Sequence, residues 1–408
     1  MRVLVQKFGG TSLATAERRS QVAAKVSEAV REGYSPVVVV SAIGRTGDPY
    51  ATDTFINMVK EISSELPQRE LDLLISCGEV ISGVVMVSTL NSLGFDAVLL
   101  TGGQAGIITN DSFGDARIIR VEPRQIVEYL KEGKVVVVTG FQGITENGQI
   151  TTLGRGGSDT TASALGVALN AEAIDIYTDV EGIMTADPRI VEDAKILDVV
   201  TYNEICQLAH QGAKVIHPRA VEIAMQRNIP LRIKCTFSNA PGTLVTSIQA
   251  DMGAGTDITG DRTITGIAHT LNVTQICVPT LNLPDTLQAD KQIFKGMALA
   301  DISVDFISLQ PEAVLYTVRD EEADKAVKIL KNMGFNPSID PGCAKVSIVG
   351  AGIHGVPGVM ADMVEALADA DVRILQSADS HTTIWVLVDK ENMVKAVQAL
   401  HRKFQLGA

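Results

Sequence analysis

Val3-Leu4-Val5-Gln6-Lys7-Phe8-Gly9-Gly10-Thr11-Ser12 starts as a strand and runs straight into two glycines and a pair of hydroxyls. The glycines let backbone come close to a ligand, and a hydroxyl can then cap a helix, expected over residues 15–32. The amino end of a helix favours anions, and Lys7 adds a full positive charge beside those amides. The Gly-x-x-x-x-Gly-Lys-Ser/Thr spacing of a Walker loop is absent. A plain glycine turn with a surface lysine would look the same in isolation, so the neighbouring segments decide.

Downstream, Val37-Val38-Val39-Val40 is a wholly apolar strand. A helix with the face Leu71, Leu74, Ile75 follows, then another carrying Val84, Val85 and Val87. Residues 97–100 and 134–138 are strand-like, and so is Ile174-Asp175-Ile176-Tyr177. Such continuous β-branched runs fit a parallel sheet covered on both faces. Asn147-Gly148 between Gly143-Ile144-Thr145 and Ile150-Thr151-Thr152 signals a tight hairpin. Leu231-Arg232-Ile233 is expected to be the last strand of this unit. Pro241-Gly242 and the aperiodic residues 251–257 suggest a linker.

Beyond the linker the chain repeats itself. Ala298-Leu299-Ala300-Asp301-Ile302-Ser303-Val304 returns as Ala366-Leu367-Ala368-Asp369-Ala370-Asp371-Val372, and Lys325-Ala326-Val327 as Lys395-Ala396-Val397. An offset of about 70 residues suits a small domain. Each copy reads strand, helix, strand, strand, helix, a ferredoxin-like α+β order. The expected class is therefore α/β, a mainly parallel sheet between helices over residues 1–246, a linker over 247–262, and two α+β modules over 263–338 and 339–408.

Composition narrows the function. The net charge of -13 repels a phosphate backbone and argues against nucleic acid as partner. The five cysteines are far apart and form no Cys-x-x-Cys pair, and His-Glu-x-x-His is absent, so neither a disulfide framework nor a zinc site is expected. Met1-Arg2-Val3-Leu4-Val5-Gln6-Lys7 is charged too early for a signal peptide, and no uninterrupted apolar run approaches the roughly 20 residues of a membrane span. A cytoplasmic protein with no membrane partner is the expectation.

Three further segments carry chemistry. Leu153-Gly154-Arg155-Gly156-Gly157-Ser158-Asp159-Thr160-Thr161-Ala162 joins three glycines, an arginine and a capping Ser-Asp pair to an Ala-rich helix expected over 161–169, an oxyanion cradle. Tyr177-Thr178-Asp179-Val180-Glu181-Gly182, with Asp187-Pro188-Arg189 after it, sits at the carboxyl end of a buried strand, where open α/β sheets bind ligands. In Gly212-Ala213-Lys214-Val215-Ile216-His217-Pro218-Arg219, Lys214 and Arg219 could face phosphates, while His217 before a proline reads as a helix start. Gly350-Ala351-Gly352-Ile353-His354-Gly355 matches a dinucleotide-binding spacing, yet too little chain follows it for that fold. An effector loop or plain packing suits it better.

Taken together these segments, with Lys7-Phe8-Gly9-Gly10-Thr11-Ser12 and Thr185-Ala186-Asp187-Pro188-Arg189, resemble aspartate kinase along the whole chain. That family has the amino-acid kinase fold and a tail of two ACT modules. Ser41-Ala42-Ile43-Gly44-Arg45-Thr46-Gly47-Asp48-Pro49-Tyr50-Ala51-Thr52-Asp53 and Ser377-Ala378-Asp379-Ser380-His381-Thr382-Thr383-Ile384-Trp385 look most like the diaminopimelate-sensitive aspartokinases of bacilli. The resemblance implies ATP and Mg²⁺ as cofactors, L-aspartate as acceptor, an amino-acid effector (diaminopimelate, lysine or threonine), and a homodimer or larger assembly through the ACT modules. It implies that Lys7 stabilises the transferring phosphoryl group, with Asp159 orienting it. Ser41, Thr52, Glu79 and Arg155 would hold aspartate, with Gly156, Gly157 and Ser158 beside the phosphate. Phe8, Gly9, Gly10, Thr178, Asp179, Met184, Arg189, Lys214 and Val215 would border ATP. Met184 stands where an aromatic is common in the family. Gly350, Ile353, His354, Val356 and Pro357 would contribute to an effector site, and residues 282–290 lack the family's Asp-x-Pro-Gly turn.

An aspartate side chain with a pKa of about 3.9 is already ionised at neutral pH, so such a reaction needs no base. Its difficulty is bringing a carboxylate to an anionic phosphate, which calls for positioning and charge neutralisation. Two other classes compete: a glutamate, acetylglutamate or nucleoside-monophosphate kinase of the same fold, and a non-catalytic amino-acid sensor.

Overall fold

The computed structural model describes residues 1–63, 65–213, 215–247, 263–281, 285–353 and 355–407. Lys214, His354, nearly all of the expected linker and residues 282–284 lie outside the described residues. The described chain forms two compact units. The first takes its residues from 1–184, 196–210 and 214–257, and the second from 185–195, 211–213 and 258–408. Two short stretches from before the expected boundary near residue 246, 185–195 and 211–213, group with the second unit.

The first unit is built on twelve strands, numbered in chain order: β1 Val3–Phe8, β2 Ser35–Val40, β3 Ala97–Leu100, β4 Ile107–Thr109, β5 Ile118–Val121, β6 Val135–Thr139, β7 Gln142–Thr145, β8 Ile150–Thr152, β9 Ala173–Thr178, β10 Val199–Thr201, β11 Leu231–Cys235 and β12 Thr243–Thr246. Eight form one sheet in the order β10-β12-β11-β9-β1-β2-β6-β3, parallel at every pairing except β11 with β12. β12 is one strand beyond the expected last strand. Val37 to Val40 are all fully buried, as strands covered on both faces must be. The order runs from β1 through β2 one way and through β9 the other. A crevice at the carboxyl ends of the strands is expected at such a reversal.

Local rules set the helices. Ala16–Arg31 begins after Thr15, whose hydroxyl caps it by accepting from the Arg18 N–H, and its Val22, Ala23 and Val26 pack on Val38, Val40 and Tyr177. The two helices expected around Leu74 and Val85 are one, Gln68–Ser92. It is long and apolar enough to cross a membrane by length and composition, yet it turns Asp72 and Glu79 inward. Gly157–Ala168 starts four residues earlier than expected, on a left-handed Gly156. Its small residues allow close packing: a Cβ on Gly166 would lie 2.4 Å from the Ile174 side chain. The Asn147-Gly148 turn does join β7 and β8, in a second sheet ordered β5-β4-β7-β8.

The second unit holds six strands: β13 Gly266–Pro279, β14 Asp305–Leu309, β15 Ala313–Arg319, β16 Ser338–Val349, β17 Gln376–Asp379 and β18 Thr383–Asp389. They make one antiparallel sheet, β14-β15-β13-β16-β18-β17. Each copy reads strand, helix, strand, strand, helix, as the repeat predicts. The long β13 and β16 pair along their length with shifts near Thr270 and Val273. The first half of β16 is thus the fourth strand of copy one, and the first half of β13 the fourth strand of copy two. Each copy has its own core, around Ile293, Tyr316 and Leu330 in one and Met363, Val386 and Leu400 in the other. Ala186 and Val191 are buried in the second of these.

Candidate functional site

A cleft of about 600 Å³ opens in the first unit. Lys7, Gly10, Ser41, Thr52, Glu79, Arg155, Gly156, Gly157, Ser158 and Asp159 line it, so residues spread over 150 positions of sequence converge.

Lys7 lies near the carboxyl end of β1. Its Nζ is 2.6 Å from Asp159 Oδ1, and both side chains are nearly buried. Gly9 leaves room beside that ammonium, where a Cβ would make only an ordinary contact at 3.8 Å from Nζ. A Cβ on Gly10 would fall 2.4 Å from the Ala42 carbonyl and 2.6 Å from that of Gly44, so only glycine lets the turns after β1 and β2 touch. The Gly44 N–H donates to the Gly10 carbonyl at 3.0 Å across this contact.

Glu79 comes from the middle of the long helix and is 2% exposed. Oε1 accepts the Ala42 N–H at 2.9 Å, while Oε2 has no partner. Burial pushes its carboxyl up to about 8. A buried carboxyl with one unsatisfied oxygen in a cleft is costly unless a cationic ligand completes it.

The Gly154–Gly157 loop places the first turn of its helix at the cleft. A Cβ on Gly156 would meet the His217 Cβ at 2.2 Å, and its φ of 67° is left-handed. The Arg155 side chain is exposed, and among the described residues it forms no ion pair. Arg219, expected among phosphate contacts, instead braces this loop by donating to the carbonyls of Ala116 at 2.9 Å and Leu153 at 3.2 Å. His217 is the helix cap it was read to be, accepting the Arg219 N–H. The floor is tied by fully buried Asp72, which accepts the N–H groups of Gly114 at 2.9 Å and Thr152 at 2.8 Å and the Thr152 hydroxyl at 2.9 Å.

Several expected residues stand elsewhere. Phe8 is fully buried and stacks on Tyr177 with ring centroids 4.7 Å apart, so its ring supports β1 and does not face a ligand. Thr178 and Asp179 sit at the end of β9, where Asp179 is bound by Arg45 of the cleft wall. Met184 is in an isolated bridge with Ile196, and Val215 is half-buried. Arg189 lies in the second unit, folded back on Asp187 at 2.6 Å. In the second unit Gly350 and Ile353 are buried, whereas Val356 and Pro357 are exposed. Arg45, Thr46, Asp53, Gln68 and Phe141 also line the cleft without having been singled out. For the first three the signal was at hand, in the stretch from Ser41 to Asp53. For Asp72 it was an acid beside the apolar face of Leu71, Leu74 and Ile75 in its helix.

Residues 2–235 match the amino acid kinase family, and residues 338–402 match the ACT domain. The chain is 54% identical over 407 residues to Aspartokinase 1 of Bacillus subtilis (strain 168), covering all of both chains. Among solved structures it is similar to E. coli aspartokinase III in complex with aspartate and ADP in the R-state, at 26% identity and a TM-score of 0.80, covering 98% of this chain and 99% of that one. It is also similar to E. coli aspartokinase III with lysine and aspartate in the T-state, at 26% identity and a TM-score of 0.72, with the same coverage.

Proposed function

This chain belongs to the aspartokinases of the amino-acid kinase family, an ATP-dependent kinase of aspartate with a regulatory ACT tail, and on that premise we propose how its cleft does the work. The observation that carries the proposal is the convergence of Lys7, Glu79, Arg155 and the Gly156–Ser158 turn in one cleft.

Glu79 Oε2 receives the α-ammonium of aspartate, the one group that would satisfy it. The free Arg155 guanidinium takes the α-carboxylate in a bidentate pair. Ser41 and Thr52 hold the acceptor from the loop after β2. The β-carboxylate, already ionised, attacks the γ-phosphorus, and the bond to the bridging oxygen of ADP breaks. No proton has to move. Lys7 and the amides at the start of the Gly157–Ala168 helix offset the charge gathered on the phosphoryl oxygens. Asp159 holds the Lys7 ammonium in place. Thr178, Asp179, Met184 and Val215 border the nucleotide in this reading, with Lys214 outside the described residues.

Among the described residues no group of three or more His, Cys, Asp or Glu side chains is arranged to hold a metal. Asp159, the cleft carboxylate nearest the phosphoryl group in this reading, is already neutralised by Lys7. The fit is therefore to Mg²⁺ carried in on nucleotide phosphates, where it would neutralise their charge, and not to a resident ion.

The ACT repeat supports binding of an amino-acid effector. Diaminopimelate, lysine and threonine are the candidates, and the loop over 350–358 is the candidate site. Pairing of copies through the second unit is supported by its edge strand β14, which leaves Ile307 and Leu309 exposed. Free aspartate and ATP are cytoplasmic pools, which supports a cytoplasmic place.

Trapping the acyl phosphate with hydroxylamine tests the reaction directly. Aspartyl hydroxamate should form with ATP and aspartate. Product from glutamate or acetylglutamate instead, or ATP binding with no product, would replace this reading by one of the two alternatives.

A further inference from the structure

Arg45 sits on the acceptor-side loop after β2, yet its Nη2 reaches Asp179 Oδ2, at the end of β9, at 2.5 Å. β2 and β9 are the two parallel neighbours of β1. The ion pair therefore joins the loops on either side of the tip of β1, which carries Lys7 and the glycine turn. Arg45 and Lys7 line the same cleft.

The cleft's charges show what the pair is for. Among the described residues, Lys7, Arg45 and Arg155 are the cations of the lining. Lys7 is held at 2.6 Å by Asp159, and Arg155 is assigned to the acceptor's α-carboxylate. Beyond Lys7 and the helix amides, a further cation for the incoming phosphate chain among these lining residues has to be released from an ion pair. The two pairs differ in cost. The Lys7 and Asp159 side chains are 13% and 11% exposed, so separating them strands a carboxylate away from water. The Arg45 and Asp179 side chains are 68% and 43% exposed. A pair that open to water gives up little when broken. The phosphate chain offers the guanidinium more charge and a bidentate geometry. The backbone of Arg45 needs no movement. Its N–H donates to Asp48 Oδ2 at 2.8 Å, and the neighbouring Gly44 is locked on Gly10. Only the side chain has to swing.

We propose that Arg45 exchanges Asp179 for the phosphate chain of the entering nucleotide, so that one loop contacts phosphate through Arg45 and the acceptor through Ser41 and Thr52. This rests on the kinase reading of the cleft and adds a phosphate contact to it.

Arg45→Ala and Arg45→Lys test it in the full chain, with a thermal melt confirming the fold. Arg45→Ala should raise KM for ATP about tenfold or more, with KM for aspartate at saturating ATP moving less than about threefold, and Arg45→Lys should recover part of the loss. ADP affinity by calorimetry, which needs no acceptor, should weaken in step. An ATP KM within about twofold of the parent overturns the exchange. So does an equal rise in both KM values with no recovery in Arg45→Lys, which would mark plain loop damage. Absence of aspartyl hydroxamate in the parent chain would sink the kinase reading separately, because the ADP measurement still reads Arg45.

Discussion

Glu79 enters the empty cleft as an acid. With its carboxyl near 8 because burial penalises the charge, about a tenth of it is ionised at pH 7. An ammonium ligand favours the ionised form, so aspartate must displace a proton to bind below pH 8. Affinity should weaken roughly tenfold per unit as pH falls below about 8, and level off above it. Glu79→Gln should bind aspartate poorly and lose that slope. Aspartate KM against pH reads both, and a flat parent profile from pH 6 to 8 would refute the pairing. The stability sign is the reverse of an ordinary ion-paired acid. The unfolded chain sheds the proton first, so the contribution of Glu79 is complete below about 4.5 and is lost as pH rises toward about 8. Lys7→Ala should lose about 3 kcal/mol of transition-state stabilisation, on the order of a hundredfold in kcat, since it removes a preorganised charge from a water-poor site. Hydroxamate formation near the parent rate would remove Lys7 from the mechanism.

Turns, more than side chains, decide the shape of the cleft. The Gly154–Gly157 loop is braced by the Arg219 fork, which donates to two backbone carbonyls. Arg219→Ala should cost about 1–3 kcal/mol and raise aspartate KM through Arg155, with less effect on ATP. A melt and paired KM values check this, and an unchanged aspartate KM would mean the loop holds itself. The glycine turns were legible in sequence because positive φ and close backbone approach leave few other choices. The role of Arg219 was not. A cation near a glycine loop reads as a ligand contact, and nothing in spacing reveals that it points at carbonyls 66 and 103 positions away. Phe8 misled for a similar reason: alternation along β1 sends Lys7 to the cleft and Phe8 to the opposite, packed face. The two expected helices are one, because Gly78 and Gly83 do not interrupt it. They are contact points instead, where a Cβ would press on Ala42 at 2.8 Å and Leu99 at 2.4 Å.

At the scale of the molecule, the repeat announced two copies, but not that β13 and β16 would each serve both. Strand length by itself carries no signal that one strand serves two copies. The division into units was equally hidden, since residues 185–195 carry no mark of the partner they pack with. That division bears on any attempt to free the kinase from its tail. Within the second unit the Thr185 carbonyl accepts the Ile267 N–H at 2.7 Å, and its hydroxyl shares a hydrogen bond with His401 Nε2 at 3.0 Å. Gln211 accepts from Ser347 and from Thr270, and Ala186 and Val191 sit in the core. A chain ending at Thr246 loses all of these partners while keeping the segment that needs them. Two uncovered apolar side chains and several unpaired polar groups together amount to about 5 kcal/mol, enough to lower the melting midpoint by about 10 °C or more in a unit of this size. The shortened chain should therefore melt early and turn over poorly, whatever the effector does. Regulation is better read in the full chain, where an effector that binds the native state raises the midpoint by mass action. A shortened chain with the parent's midpoint and turnover would show that residues 185–195 do not depend on the second unit.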